Sequence, residues 1–254
     1  MNPAYALHHA ESWGSPFVLG VMLPLEAAAH PGERAGSNLL ARYRSVIGEL
    51  ADAPLPLVAQ VWGPMTMAAT LVGLDTYVES LAGGSEAFSF TNRGLDATLT
   101  VAEAALEARP LVLWIAEPLA MLADPGALAA VWLPVMRRLL ANARAAGADS
   151  VIHVSGAASH TLHAVNRTGA SGMSITADTP LATTREMLPE HVVVFGNLDS
   201  MRLMDRSEEW LREQGRIMAE EMRGRPFVAT PGSAISERIP VSRLAAFVEG
   251  TRNG

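Results

Sequence analysis

Ser150-Val151-Ile152-His153-Val154-Ser155-Gly156 is a short β-branched run that ends in polar residues and a glycine, with an Ala- and Leu-containing stretch after it. Apolar residues at successive positions describe a strand buried on both faces, as in a parallel sheet covered by helices. The same unit recurs on both sides of it. Apolar runs at 17–22, 57–62, 111–116, 150–154, 172–176, 191–195 and 226–230 are each followed by Gly, Pro or Ser and then by a stretch with helical spacing. That alternation predicts an α/β fold, a TIM-type (β/α) barrel, with seven candidate strands where a complete barrel has about eight.

The punctuation agrees with this reading. Pro54, Pro56 and Pro110 precede candidate strands, while Asp124-Pro125, Gly147, Gly169, Pro189 and Gly224 mark breaks where helices start or stop. Over 128–145 the spacing predicts a helix with Leu128, Val131, Trp132, Val135, Leu139 and Leu140 on one face and Arg137, Arg138 and Arg144 outside it. A second helix is predicted over 203–223, where dense charges from Asp205 to Arg216 mark a wet outer face. The Gly83-Gly84-Ser85 stretch is the best candidate for a mobile loop. No repeat or linker divides the chain, so residues 1–254 are expected to form a single domain.

Composition excludes several chemistries. The chain has no cysteine, which removes thiol nucleophiles, iron–sulfur clusters and cysteine-containing zinc sites. It has no lysine either, so all 19 basic residues are arginine, and Schiff-base chemistry and a P-loop lysine are excluded. A net charge of -7 without a basic stripe argues against nucleic acid as a partner. No apolar run approaches the roughly 18 residues of a membrane helix. His8, His9 and Glu11 stand where a signal peptide needs a basic start and an apolar stretch, so a cytoplasmic protein acting on a small molecule is expected.

In such a barrel, side chains at the C-terminal strand ends meet at one mouth, and the polar residues gather there. They are Gln60, Thr66, Glu117, His153, Ser155, Thr176, Asp178, Asn197, Asp199 and Ser233. Taken singly, a Thr or Asp after a strand also reads as a helix N-cap. His153 and Ser155 are two residues apart, so alternation aims both at one face, and Gly156 permits a close backbone approach. Neither Ser155 nor Ser233 sits in a G-x-S-x-G context, which argues against a serine hydrolase. His160 and His163, spaced i and i+3, read as helix-face residues rather than as a metal pair.

Four collinear segments resemble a known family. Gly63-Pro64-Met65-Thr66-Met67-Ala68-Ala69 is similar to G-P-F-T-L-A-S, 151–156 to I-L-H-I-C-G, and Gly196-Asn197-Leu198-Asp199-Ser200 to G-N-L-D-P. Ala229-Thr230-Pro231-Gly232-Ser233-Ala234-Ile235, with Pro240 following, resembles S-P-G-C-x-I-P-x-x-T-P. These belong to the uroporphyrinogen decarboxylase superfamily, closest to its methylcobalamin:coenzyme M and corrinoid methyltransferase branch. The resemblance runs from about 57 to 247.

It implies a TIM-type barrel with its pocket at the mouth, a corrinoid or methylcobalamin as methyl source, a corrinoid protein or companion subunit as partner, and a homodimer. In that branch the His and Cys of H-x-C and the Cys of P-G-C hold a zinc ion that activates the acceptor thiol. Here the histidine is kept as His153, but both cysteine positions are serine, Ser155 and Ser233, and a neutral hydroxyl is a poor zinc ligand. Glu117 and Asp199 are the carboxylates at neighbouring strand ends that a harder, oxygen-rich site with His153 would use. The decarboxylase branch fits less well, because its R-x-A-G-R motif and pocket aspartate have no counterpart in a shortened N-terminal segment. The expected activity is methyl, one-carbon or alkyl transfer. His153, Glu117 and Asp199 are the catalytic candidates, and Thr66, Ser155, Thr176, Asn197 and Ser233 hold the substrate; a metal-free decarboxylase-type lyase or a non-catalytic subunit is the alternative.

Overall fold

In a computed structural model of the chain, which describes residues 18–20, 22–83, 85–156, 159–233, 235–236 and 238–254, the apolar runs become one parallel seven-stranded sheet whose strand order is the chain order. The strands are β1 (Val18–Leu19), β2 (Leu57–Trp62), β3 (Val112–Ala116), β4 (Asp149–Val154), β5 (Gly172–Ile175), β6 (Val193–Leu198) and β7 (Phe227–Pro231). The helices are α1 (Leu25–Ala29), α2 (Arg34–Ala51), α3 (Pro64–Val72), α4 (Leu74–Leu81), α5 (Ser85–Leu106), α6 (Leu133–Ala145), α7 (Ser159–Asn166), α8 (Leu181–Met187), α9 (Arg202–Asp205), α10 (Glu208–Glu221) and α11 (Val241–Arg252). Sequential parallel strands joined through helices are the TIM-type arrangement.

Among the described residues β1 pairs only with β2 and β7 only with β6, so hydrogen bonding does not close the ring. All five residues of β7 are half-buried, as suits an edge. The run at 17–22 contributes two strand residues, and Phe17 and Val21 lie outside the described residues, as do His8, His9, Glu11 and Gly84. No helix among the described residues is long and apolar enough to cross a membrane.

Register sorts the strand residues into two faces. Val61, Ile115, Ile152, Met173 and Val194 lie on the outer face and are buried beneath the helices. The alternate positions Trp62, Ala116, His153, Ser174 and Phe195 form one row on the inner face, with Gln60, Trp114, Val151 and Gly172 below them. The upper half of that inner face is not packed shut: Gln60, Trp62, Trp114, His153 and Asn197 all remain partly exposed. Val58, Val151 and Gly172 close the floor.

Two helices differ from the sequence expectation. The 128–145 rod is continuous, and its six apolar residues are all buried, but Pro134 inside it has no N–H to donate. The turn before it widens to π geometry over Leu128–Trp132, with the Leu133 N–H bonded to the Leu128 carbonyl. The 203–223 expectation is corrected to two helices, α9 and α10. The Ser207 hydroxyl accepts the Trp210 N–H at 3.2 Å and starts α10 afresh, an N-cap that a charge-pattern reading overlooks.

α10 and α11 cross closely enough that a Cβ on Gly250 would stand 2.0 Å from the Arg212 carbonyl oxygen. Backbone cannot yield as a side chain can, so Gly250→Ala is expected to destabilise the fold by about 1–3 kcal/mol, the usual cost of overpacking. The midpoint of urea unfolding, read against the unchanged protein, measures it.

Candidate functional site

His153 sits near the C-terminal end of β4 and points into the interior. Its Nδ1 lies 2.9 Å from the Ser174 hydroxyl on β5. Its ring stacks on Trp114 of β3, with centroids 6.3 Å apart and planes 23° apart. Trp114 in turn meets Phe195 of β6 edge to face at 5.2 Å. Strands β4 and β5 separate β3 from β6, so this contact spans the curl of the sheet and identifies the interior directly. Burial lowers the His153 pKa from the ordinary 6.5, which leaves the imidazole neutral at pH 7. Gly172 makes the arrangement fit: a Cβ there would stand 3.1 Å from both Phe195 Cε2 and Val151 Cγ2.

Around this interior the loops are tied to one another. The Gly156 N–H donates to the Thr176 hydroxyl at 2.9 Å, and that hydroxyl donates to Asp178. Asn197 reaches from β6 to the same loop and donates to the Thr179 carbonyl at 2.6 Å. Gly232 lies against the backbone of 175–177, where a Cβ would come within 3.0 Å of Thr176 Cα. Gln60 and Trp62 hold the segment after β1, through donations to the Gly20 carbonyl at 2.7 Å and the Leu23 carbonyl at 2.9 Å. Thr176 and Asn197 therefore shape the mouth through these bonds.

The other sequence candidates divide. Ser155 is half-buried just past β4, beside Gly156. Ser233 is exposed and shares a 2.9 Å hydrogen bond with the Ser200 hydroxyl. Asp199 closes the turn before α9, accepting the Met201 N–H at 3.0 Å, and pairs with Arg202 at 3.4 Å. His163 is exposed on α7 and His160 half-exposed, on the outer layer. Among the described residues no three His, Cys, Asp or Glu side chains come together as a metal site. One imidazole, engaged at Nδ1 by Ser174, together with neutral serine hydroxyls is not a donor set that fits zinc. Trp114, Ser174 and Phe195 are the site residues that sequence reasoning missed, although strict alternation along β3, β5 and β6 puts them on the His153 face.

A curled parallel sheet whose inner face carries partly exposed polar and aromatic side chains defines a TIM-type fold. The profile of the family described as uroporphyrinogen decarboxylase (URO-D) matches residues 34–253, and the chain belongs to that family. Among solved structures it is similar to a methyltransferase from Methanosarcina mazei, with a TM-score of 0.82 at 20% identity over 99% of this chain and 86% of that one. No curated protein matches the chain.

Glu117 has a place in this frame that its position after β3 did not disclose. It has no accessible surface, and both carboxylate oxygens face the start of α3. Oε1 accepts the Thr66 N–H at 2.9 Å and the Thr66 hydroxyl at 2.7 Å, and Oε2 accepts the Met65 N–H at 2.9 Å and the Trp132 indole N–H at 3.4 Å. Burial pushes its pKa up from the ordinary 4.5, while these bonds pull it down. The helix N-terminus favours a negative charge here, since its first N–H groups have no partner within the helix. Gly63 is required alongside, because a Cβ there would lie 2.4 Å from Oε2. Glu117 and Thr66 thus join β3 to α3 and do not line the pocket. Glu117→Gln turns an amide toward donors that need an acceptor, and it is expected to cost about 1–3 kcal/mol of stability. Thermal and urea unfolding measure that loss; an unchanged midpoint contradicts the assignment.

Proposed function

We propose that this protein transfers a methyl, one-carbon or alkyl group to a small molecule bound in the barrel interior, with His153 as the base and without zinc. The observation that carries the reading is His153 itself: a half-buried, uncharged imidazole on the inner face, oriented by Ser174 and Trp114. The role as base uses the tautomer in which Nδ1–H donates to Ser174 and Nε2 presents its lone pair to the ligand. The acceptor's lone pair forms the new bond to carbon, and the donor keeps the electron pair of the bond that breaks. The acceptor's proton passes to His153. The likeness to a methyltransferase fold supports the reaction class, and a corrinoid-bound methyl group is the proposed donor, delivered free or on a partner protein; a homodimer in the cytoplasm is the proposed setting. Ser155, at the same strand end, is the proposed hydrogen-bond partner of the acceptor.

A positioned base contributes about 10²- to 10⁴-fold, so His153→Gln is expected to reduce kcat/KM by that range while the fold is retained. Because the His153 pKa is lowered, the wild-type kcat/KM is flat through neutral pH and its acid limb lies below 6.5. The Gln variant lacks that limb, and Ser174→Ala moves it. Loss of methyl from methylcobalamin, followed by visible absorbance over a panel of small nucleophiles, reads the rate. Release of carbon dioxide from a carboxylated substrate, with no methyl transfer, would instead establish the lyase reading.

A further inference from the structure

The pocket's charge pattern says what it can admit, on the reading that the His153 interior is where the acceptor sits. The inner-face strand positions on β2 to β6 carry no arginine, and the chain contains no lysine. Arginine is absent from all of 110–136, 145–166, 168–184 and 186–201, which include β3 to β6 and the loops that leave them. The arginines lie elsewhere. Arg137 and Arg144 face outward on α6, bonded to the carbonyls of Arg167 and Gly169, and Arg225 precedes β7 and donates to the Leu188 carbonyl.

Beyond the strand ends, three of the arginines are already engaged. Arg202 is held by Asp199 and Asp205, Arg243 donates to the Leu203 carbonyl, and Arg206 lies over the Trp210 ring. Arg238 stands on the exposed loop after β7. The only carboxylate at an inner-face strand position of β2 to β6 is Asp149, exposed at the opposite end of β4; Glu117 is sealed against α3, and at the mouth Asp178 accepts the Thr176 hydroxyl. What remains on the wall is Trp62, Trp114, Phe195, Val151 and the uncharged polar groups of Gln60, His153, Ser174 and Asn197.

We infer that the pocket selects an uncharged small molecule with an apolar body, and that it rejects polycarboxylates of the porphyrinogen kind. A carboxylate entering this wall gives up its water without gaining a counter-ion, and an ammonium meets the same loss. Trp114 supplies the apolar contact and His153 and Ser174 the polar one.

Binding without any methyl donor tests this separately from the transfer reaction. Benzyl alcohol, benzoate and benzylamine offer one ring with three charges, titrated at pH 8 with the His153 ring signals followed by NMR. Benzyl alcohol is expected to shift His153, with both charged analogues at least about ten-fold weaker, equivalent to about 1.4 kcal/mol. Trp114→Ala is expected to abolish that binding and Trp114→Phe to retain most of it, with unfolding midpoints confirming that both variants fold. Either charged analogue matching benzyl alcohol overturns the inference, as does the absence of any shift at His153. Failure of methyl transfer with the binding order intact removes the proposed reaction and leaves the ligand class standing.

Discussion

Trp114 and Phe195 touch edge to face at 5.2 Å although two strands lie between theirs, and a flat sheet could not bring them together. That curl is what the rest of the molecule depends on. It puts alternate strand residues into an interior and their neighbours under the helices, so seven short runs become a container. It also sets His153 against Trp114 with Ser174 beside it, which makes an ordinary strand-end histidine a half-buried, neutral one. The sheet is hydrogen-bonded only from β1 through to β7 among the described residues, and half-buried β7 forms one edge.

Electrostatics follow the same division between frame and interior. The one fully buried carboxylate among the described residues, that of Glu117, satisfies the first N–H groups of α3 and joins that helix to β3. Asp199 ties the turn that precedes α9. Carboxylates at strand ends therefore secure the loops that surround the pocket, while the wall stays uncharged. The hydroxyls fit this pattern: Ser233 is drawn into a pair with Ser200, and His153 is partnered by a different hydroxyl, that of Ser174.

The strands were legible because burial on both faces leaves an unbroken apolar run, and six of the seven runs locate their strands to within a few residues. The 128–145 stripe was equally plain, and each of its apolar residues is buried. Local competition was harder to see. Ser207 restarts a helix through one side-chain bond, and Pro134 changes one turn without ending the rod. Hardest were the contacts made across many residues. Glu117 meets Thr66 from 51 positions away, and His153 meets Ser174 from 21. Nothing in the spacing near either residue reveals such a partner, so two strand-end polar residues that look alike in sequence have different surroundings in the fold.

The account rests on His153 as a neutral, pocket-facing imidazole, and its protonation can be followed directly. Isotope-labelled imidazole signals, with His153 assigned by comparison with His153→Gln, give its titration in the intact protein among the seven histidines. A midpoint below 6.5 is the result the structure predicts. A midpoint at or above 6.5 would mean that the ring is solvated or paired with a charge, and would contradict the site as described.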